Sequence, residues 1–257
     1  MPPNPGPVGD FIEKLLTGFE TLIGRLVGRL TGRAADRVAR AGQHALGAGV
    51  VHTLWTQDLD REVVPALTDI WTASVGHTTA QLRQLTDLEQ IVAALTAPDP
   101  ADHLRAARNR LVGIGDIVWD DVRTELAAGV QAGDDVPTLA GRVRAAGQTA
   151  TPRSLVIART EVVSAHNAAS LAQARMLDDP TMVKEWLATP DTRTRETHRA
   201  ADGQRVKVGD PFTVGGSKLD YPGDPDGPPD EVIQCRCSIV FDVDDAPVTA
   251  ASAYDEP

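Results

Sequence analysis

The sequence predicts an α+β protein, with a long helical N-terminal region followed by a small β-containing C-terminal module. Before residue 180, apolar residues recur at three- and four-residue steps, which is the spacing of helices that bury one face. Aromatic residues make up only 4% of the chain, and alanine is abundant, a composition that suits helices packed through small side chains. From Met182 onward, short β-favouring runs alternate with stretches dense in Gly, Pro and Asp, which predicts strands joined by turns.

Composition divides the chain into four segments. Residues 1–9 are rich in Pro and Gly and are expected to form a flexible lead. A helical region is expected over 10–150, and the C-terminal module over 151–245. The acidic residues 246–257 are expected to be disordered.

The first helix is predicted to begin at Asp10, which can cap it, and to end at about Gly32. Gly24, Gly28 and Gly32 form a stripe of small residues that allows another helix to approach closely. Such a helix can pack within a bundle, or it can bind a membrane surface or an oligomeric partner.

Further helices are expected over 34–96, with Pro65 at a helix start or a kink. The next helix is predicted from about residue 101 to 129, followed by a break at 134–137 and a short helix. Thr151-Pro152 then predicts the start of a new helix, since proline is accepted in the first turn.

Three segments after residue 182 predict strands: KEWLAT (184–189), QRVKVG (204–209) and IQCRCSIVFDV (233–243). A module of this size has difficulty in burying a core of its own. We therefore expect it to dock on the preceding helix.

The net charge is −11 at pH 7, which disfavours a general nucleic-acid coat because phosphate neutralisation needs positive charge. The charge is uneven, since residues 11–50 are basic whereas the chain after Asp178 is strongly acidic. This asymmetry indicates either distinct partners for the two ends or simply a solvated surface.

Several classes of protein are not indicated by the sequence. Two cysteines do not make a disulfide framework, and the first residues lack the pattern of a secretory signal. No run of about eighteen uncharged apolar residues occurs, so no transmembrane span is expected. These observations favour a cytosolic origin.

Both cysteines, Cys235 and Cys237, lie in the predicted last strand, where residues two apart point to the same face. Two thiolates on one face can bind one soft metal ion, with a nitrogen from His198 and an oxygen from Asp191 or Asp202 completing a tetrahedral zinc site. The alternative is that both are small buried residues of a strand core.

The stretch TRETHRAAD (194–202) is predicted to form a helical turn or a short helix, in which a His with a neighbouring carboxylate is also a general-base arrangement. We favour a network of paired charges that joins helix, loop and strand. The Tyr-Pro-Gly-Asp-Pro run predicts an ordered turn or a cation-binding loop. The predicted structural polar cluster consists of Arg159, Glu161, Asn167, Trp186, Asp191, Arg193, Arg195, His198, Asp202, Tyr221 and Asp224.

These motifs, in this order, resemble the phage Mu F-like head morphogenesis family of minor capsid proteins. The resemblance covers about residues 155–240. The family prefers Asn before its Cys-x-Cys, whereas this chain has Gln234. The motifs that carry the resemblance are ARTEVVSAHNAA (158–169), Trp186, DTRTRETHRAADGQ (191–204), Phe212, LDYPGDP (219–225) and VIQCRC (232–237).

The resemblance implies a minor structural protein of a tailed phage or prophage, located in the virion at the portal vertex and in the host cytoplasm during assembly. It implies association with the portal protein through the helical region, contact with coat or scaffold protein, and action in procapsid assembly, DNA packaging or ejection. The basic residues 11–50 are candidates for contact with packaged DNA. The family carries no established catalytic residue, so we expect no enzymatic activity.

Two alternatives remain at the level of sequence. One is a metal-dependent hydrolase or nuclease-like enzyme that uses His198, Cys235 and Cys237. The other makes the N-terminal helix a membrane-active segment for genome delivery.

Overall fold

The computed structural model describes residues 6–85 and 95–244. The acidic tail predicted at 246–257 lies outside these residues, as does most of the flexible lead predicted at 1–9. The predicted α+β class is confirmed, because long helices precede a small module of short strands. No helix in the described part of the chain has the length and apolarity needed to cross a membrane.

The chain forms two compact units. The β unit takes its described residues from Met1–Ile12, Ile70–Pro100 and Val163–Pro257. The helical unit consists of Glu13–Asp69 and Ala101–Val162.

The helices of the described residues are mostly long, and two of the connections between them are a 3₁₀ turn and a π-helix. In chain order they are α1 (Gly6–Ala41), a 3₁₀ turn (Gln43–Ala45), α2 (Ala48–Asp58), a π-helix (Leu59–Val63), α3 (Val64–Leu85), α4 (Ala101–Leu111), α5 (Gly113–Ala132), α6 (Val136–Arg175), α7 (Glu196–Ala201) and α8 (Pro229–Val232).

Helix α1 begins before the predicted cap and continues beyond the predicted end. Asp10 lies inside the helix, and so does Gly32, because the apolar face of α1 continues through the buried residues Ala34, Ala35 and Val38. Burial of that face outweighs the weak helix propensity of glycine.

The helix start predicted at Thr151-Pro152 is wrong, since Pro152 lies inside the continuous helix α6. Proline removes one backbone N–H and crowds the preceding turn. Here the hydroxyl of Thr151 donates to the Gly147 carbonyl at 2.6 Å, and that of Ser154 donates to the Ala150 carbonyl at 2.9 Å. Burial of the small residues Ala146, Ala150 and Ala158 on both sides of the proline holds the helix continuous.

The helical unit is centred on Trp55, which is fully buried. Its indole N–H donates to the Leu111 carbonyl at 2.9 Å, at the end of α4. Gly115 lies against the ring, and a Cβ there would be 3.1 Å from Trp55 Cδ1. The absence of a side chain at this position therefore allows α5 to approach α2.

Acidic residues of the helical unit form ion pairs with three arginines of α1, namely Arg25, Arg29 and Arg33. Arg29 donates to Glu62 at 2.5 Å, and Arg33 donates to the buried Asp58. Arg25 also contacts Glu62, at 3.1 Å. Part of the positive charge of residues 11–50 is thus neutralised within the helical unit.

The β unit contains two small antiparallel sheets. One has the strand order β2-β1-β5, and the other pairs β3 with β4. The strands are β1 (Met182–Leu187), β2 (Arg205–Lys207), β3 (Phe212–Val214), β4 (Ser217–Leu219) and β5 (Ser238–Val243). All three segments predicted as strands overlap one, although β1 begins earlier, at Met182, and the strand of the third segment begins only at Ser238.

The core of the β unit surrounds Trp186 on β1. Its ring makes edge contacts with Phe212 and with His198, with centroid distances of 5.4 Å in each case. Both faces of β1 are buried, and as a result Lys184 is also removed from solvent. Its ammonium donates to the Asp220 carbonyl at 2.7 Å and lies 5.0 Å from the Phe212 ring centroid.

The burial of Lys184 predicts a pH dependence of stability. Desolvation lowers the pKa of Lys184 from 10.5 to about 8. Between these values the unfolded chain binds more protons than the folded chain, so the free energy of unfolding rises as the pH increases. From pH 8 to pH 10 we expect a gain on the order of 2 kcal/mol relative to Lys184→Met.

Urea denaturation of both proteins across this range measures the difference. Groups other than Lys184 titrate in both proteins and cancel in the comparison. Parallel pH profiles for the wild type and Lys184→Met would contradict the assignment.

Candidate functional site

The thiol–imidazole cluster consists of His198, Cys235 and Cys237 in the β unit. His198 comes from the short helix α7, and the two cysteines come from the loop between α8 and β5. The Nδ1 atom of His198 lies 3.3 Å from Cys237 Sγ and 3.7 Å from Cys235 Sγ. All three residues are at most 2% exposed, so these atoms meet in the interior.

The two cysteines converge for a different reason from the one that the sequence suggested. They lie in a loop, because β5 begins at Ser238, and the prediction that they share a face of a strand is wrong. Gln234 adopts a left-handed conformation, with a φ of 58°, which turns the chain directly before Cys235. This turn brings both thiols to His198.

The second ring nitrogen of His198 is held by a carboxylate. Nε2 lies 2.9 Å from Glu231 Oε2, and the Thr197 hydroxyl donates to the same oxygen at 2.9 Å. When the imidazole is neutral, Nε2–H donates to Glu231 and Nδ1 keeps its lone pair on the side of the thiols. Sequence analysis missed Glu231, and only its position four residues before Cys235 could have indicated it.

The two thiols are not equivalent. A hydrogen bond from the Cys235 thiol lowers the pKa of Cys237 to about 5, and His198 acts in the same direction. The same hydrogen bond, together with burial, raises the pKa of Cys235 well above its ordinary value. The pair therefore stabilises one thiolate, the form in which cysteine binds metals or attacks electrophiles.

The predicted oxygen ligands, Asp191 and Asp202, have other partners. Asp191 accepts hydrogen bonds from the Arg236 guanidinium at 2.5 and 2.6 Å, and these bonds hold its pKa well below the usual range. Asp202 accepts from the Ala188 N–H at 2.8 Å. Among the described residues, the group of potential metal ligands comprises His198, Cys235 and Cys237, whose ligand atoms lie within 4.8 Å of one another.

Asn167 on α6 connects the helix to two loops of the module. Its amide nitrogen donates to the carbonyls of Pro222 at 2.9 Å and Cys237 at 3.1 Å. Its amide oxygen accepts from the Ile239 N–H at 3.0 Å. One buried side chain thus satisfies backbone groups of the Tyr-Pro-Gly loop, of Cys237 just before β5 and of Ile239 on β5.

The Tyr221–Asp224 turn is ordered by its own side chains and by close contact with α6. Gly223 has a φ of 80°, and a Cβ there would lie 3.2 Å from the backbone nitrogen of Ser164, so glycine is required at this position. Asp224 accepts from the backbone N–H groups of Asp220 and Asp226. Tyr221 packs beneath the turn against the apolar cores of the unit.

Four further members of the predicted polar cluster have identified partners. In the helical unit, Arg159 pairs with Glu20, and Glu161 accepts two hydrogen bonds from Arg110 at 2.6 and 2.7 Å. In the β unit, Arg193 pairs with Asp191 at 3.1 Å, and Arg195 donates to the Ile233 carbonyl.

The cluster allows two kinds of chemistry. Three soft or borderline ligands can bind one metal ion, or Cys237, His198 and Glu231 can act as nucleophile, base and orienting carboxylate. A nucleophile has to meet its substrate, whereas the cysteines are only 1% and 2% exposed. Burial therefore favours metal binding over catalysis.

Asn167→Ala should destabilise the protein by about 2–5 kcal/mol, since it leaves the Ile239 N–H and two carbonyls unsatisfied in the interior. The matched control is Gln173→Ala on the same helix, where a buried amide has no hydrogen-bond partner for its oxygen. Urea denaturation followed by circular dichroism compares the two variants, and equal losses would refute a special role for Asn167.

Comparisons with known proteins find one matching family and two relatives for part of the chain. The family model described as "Phage Mu protein F like protein" matches residues 120–240. The "Minor head protein GP7" of Bacillus phage SPP1 is 29% identical over 127 residues, which cover 49% of this chain and 41% of that protein. The "NAD(+)--arginine ADP-ribosyltransferase EFV" of Enterococcus faecalis (strain ATCC 700802 / V583) is 29% identical over 138 residues, covering 52% of this chain and 28% of that protein.

The matched stretch spans less than half the length of either relative. No solved structure matches the chain. The family match begins upstream of the module boundary predicted at 151 and includes the thiol–imidazole cluster and Asn167. Residues 120–240 of the chain therefore resemble the Phage Mu protein F like family.

Proposed function

We propose that the chain is a minor head protein of a tailed phage or prophage that acts by binding during head assembly. The observation that carries this proposal is the similarity to the minor head protein of phage SPP1, and the family model that matches residues 120–240 supports it.

The proposed partner is the portal protein, with coat or scaffold protein as further contacts. The protein would be located in the virion at the portal vertex, and in the host cytoplasm during assembly. It would act in procapsid assembly, DNA packaging or ejection. Residues 10–150 would contact the portal or capsid, and 151–245 would form the Mu F-like module.

The contacts within the β unit support a binding role. Asn167, Asp191 and Asp224 all hold backbone groups of loops. Pre-organised loops lose little conformational entropy when a partner binds. A module in which polar side chains order the loops is suited to presenting a fixed surface.

A hydrolase or nuclease built on the thiol–imidazole cluster is not favoured. Phosphate-cleaving metal sites use hard oxygen ligands, whereas this cluster presents two sulfurs and one nitrogen in the interior. ADP-ribosyl transfer is the activity named for the Enterococcus relative. Since the match covers 28% of that protein, we do not extend this activity to the present chain.

Contact with DNA is proposed for exposed basic residues of α1 that have no acidic partner among the described residues. Arg37 and Arg40 are of this kind, whereas Arg25, Arg29 and Arg33 are ion-paired. Unpaired arginines retain their charge for phosphates, and neutralising phosphates releases counterions.

Co-expression with the portal protein of the same phage tests the main proposal. The full chain should co-purify with the portal ring, and the portal of an unrelated phage serves as the control. Substrate turnover at ordinary enzymatic rates, lost in His198→Ala, would overturn the proposal, as would failure to bind its own portal, coat and scaffold proteins.

For DNA, Arg37→Glu and Arg40→Glu should each weaken binding and reduce the salt dependence of the association constant by about one phosphate contact. Arg83→Glu, an exposed arginine on α3, is the matched control and should have little effect. Fluorescence anisotropy over a salt series measures both quantities. If all three variants bind equally, α1 is not the DNA-binding element.

A further inference from the structure

We propose that His198, Cys235 and Cys237 bind one zinc ion that holds the C-terminal module together. The inference rests on the geometry of the β unit and does not depend on the proposed role in phage assembly.

The separations between the ligand atoms fit a shared ion. Zinc lies about 2.3 Å from thiolate sulfur and about 2.0–2.1 Å from imidazole nitrogen. In a tetrahedral site such ligand atoms are roughly 3.5–3.8 Å apart. His198 Nδ1 is 3.7 Å from Cys235 Sγ and 3.3 Å from Cys237 Sγ, so small adjustments suffice.

The imidazole of His198 is oriented as a metal ligand requires. Metal-binding histidines almost always donate their other ring N–H to a carboxylate, carbonyl or water. Glu231 supplies that carboxylate, 2.9 Å from Nε2, and the Thr197 hydroxyl orients the same oxygen. Nδ1 is thereby left with its lone pair directed to the thiols.

The ligand set selects the metal. Two thiolates and an imidazole suit zinc, whereas calcium and magnesium require oxygen. The described residues offer three ligands to the group, and the fourth tetrahedral position would be taken by a small external ligand such as water. The buried position suits a structural ion rather than one that meets substrates.

Several helices and strands of the β unit are short, and a bound ion would stabilise them. Helix α7 has six residues and α8 has four, lengths at which helices are unstable without tertiary support. The two sheets have three strands and two strands, and β2, β3 and β4 have only three residues each. A zinc ion that joins α7 to the loop after α8 would contribute its binding free energy to folding.

The experiment measures metal in the purified full chain without any partner protein. After reduction, incubation with zinc and gel filtration, the wild type should retain close to one zinc ion per chain. Cys235→Ser, Cys237→Ser and His198→Asn should retain little, whereas His44→Asn, which changes an exposed histidine of the 3₁₀ turn, should match the wild type.

Cobalt substitution in the wild type keeps the proposal testable if the variants fail to fold. Bound cobalt should show thiolate-to-metal charge-transfer absorption, which zinc then displaces. Glu231→Gln should still bind one ion but about 10- to 100-fold more weakly in competition with a chelator, because it loses the carboxylate that orients His198.

A reduced wild type that retains no zinc and shows no cobalt–thiolate absorption would overturn the proposal. Rates of thiol alkylation that are the same with and without zinc would do so as well. Since portal binding is measured separately, loss of the zinc site would leave the proposed function standing, and failure to bind the portal would leave the zinc site standing.

Discussion

The β unit depends on the buried side-chain amide of Asn167. A helix has no free backbone groups along its length with which to hold a neighbouring loop, so a polar side chain has to provide the contact. Asn167 bonds to the carbonyls of Pro222 and Cys237 and to the N–H of Ile239. It therefore links α6 to the loop that precedes β5, and hence to the thiol–imidazole cluster.

Paired polar groups help to fix the arrangement of the loops in the β unit, an effect that a larger apolar core would otherwise provide. Asp191 pairs with Arg236, which lies between the two cysteines in the sequence, and a carboxylate oxygen of Glu231 contacts the imidazole of His198. Such groups are directional, so they specify one arrangement of loops that contain little regular structure. A module organised in this way has surfaces of defined shape, which suits the binding role proposed above.

Several features of the fold could be read from local patterns. The helical period and the three β-favouring segments predicted elements that the structure contains. Local signals failed where packing overrode them: Pro152 is accommodated inside α6, and the strand predicted across Cys235 begins only at Ser238, after the turn at Gln234. In both places neighbouring contacts compensate for a local preference.

The sequence by itself determined the fold class, the resemblance to a known family and the residue types of the candidate site, because these follow from periodicity, composition and the order of motifs. Only the tertiary structure decided which polar residues meet. It assigned Glu231 to His198, Arg236 to Asp191 and Glu161 to Arg110, pairs that lie far apart in the chain. No spacing rule reaches across 33 to 51 residues, since such contacts are set by how helices and loops pack in three dimensions.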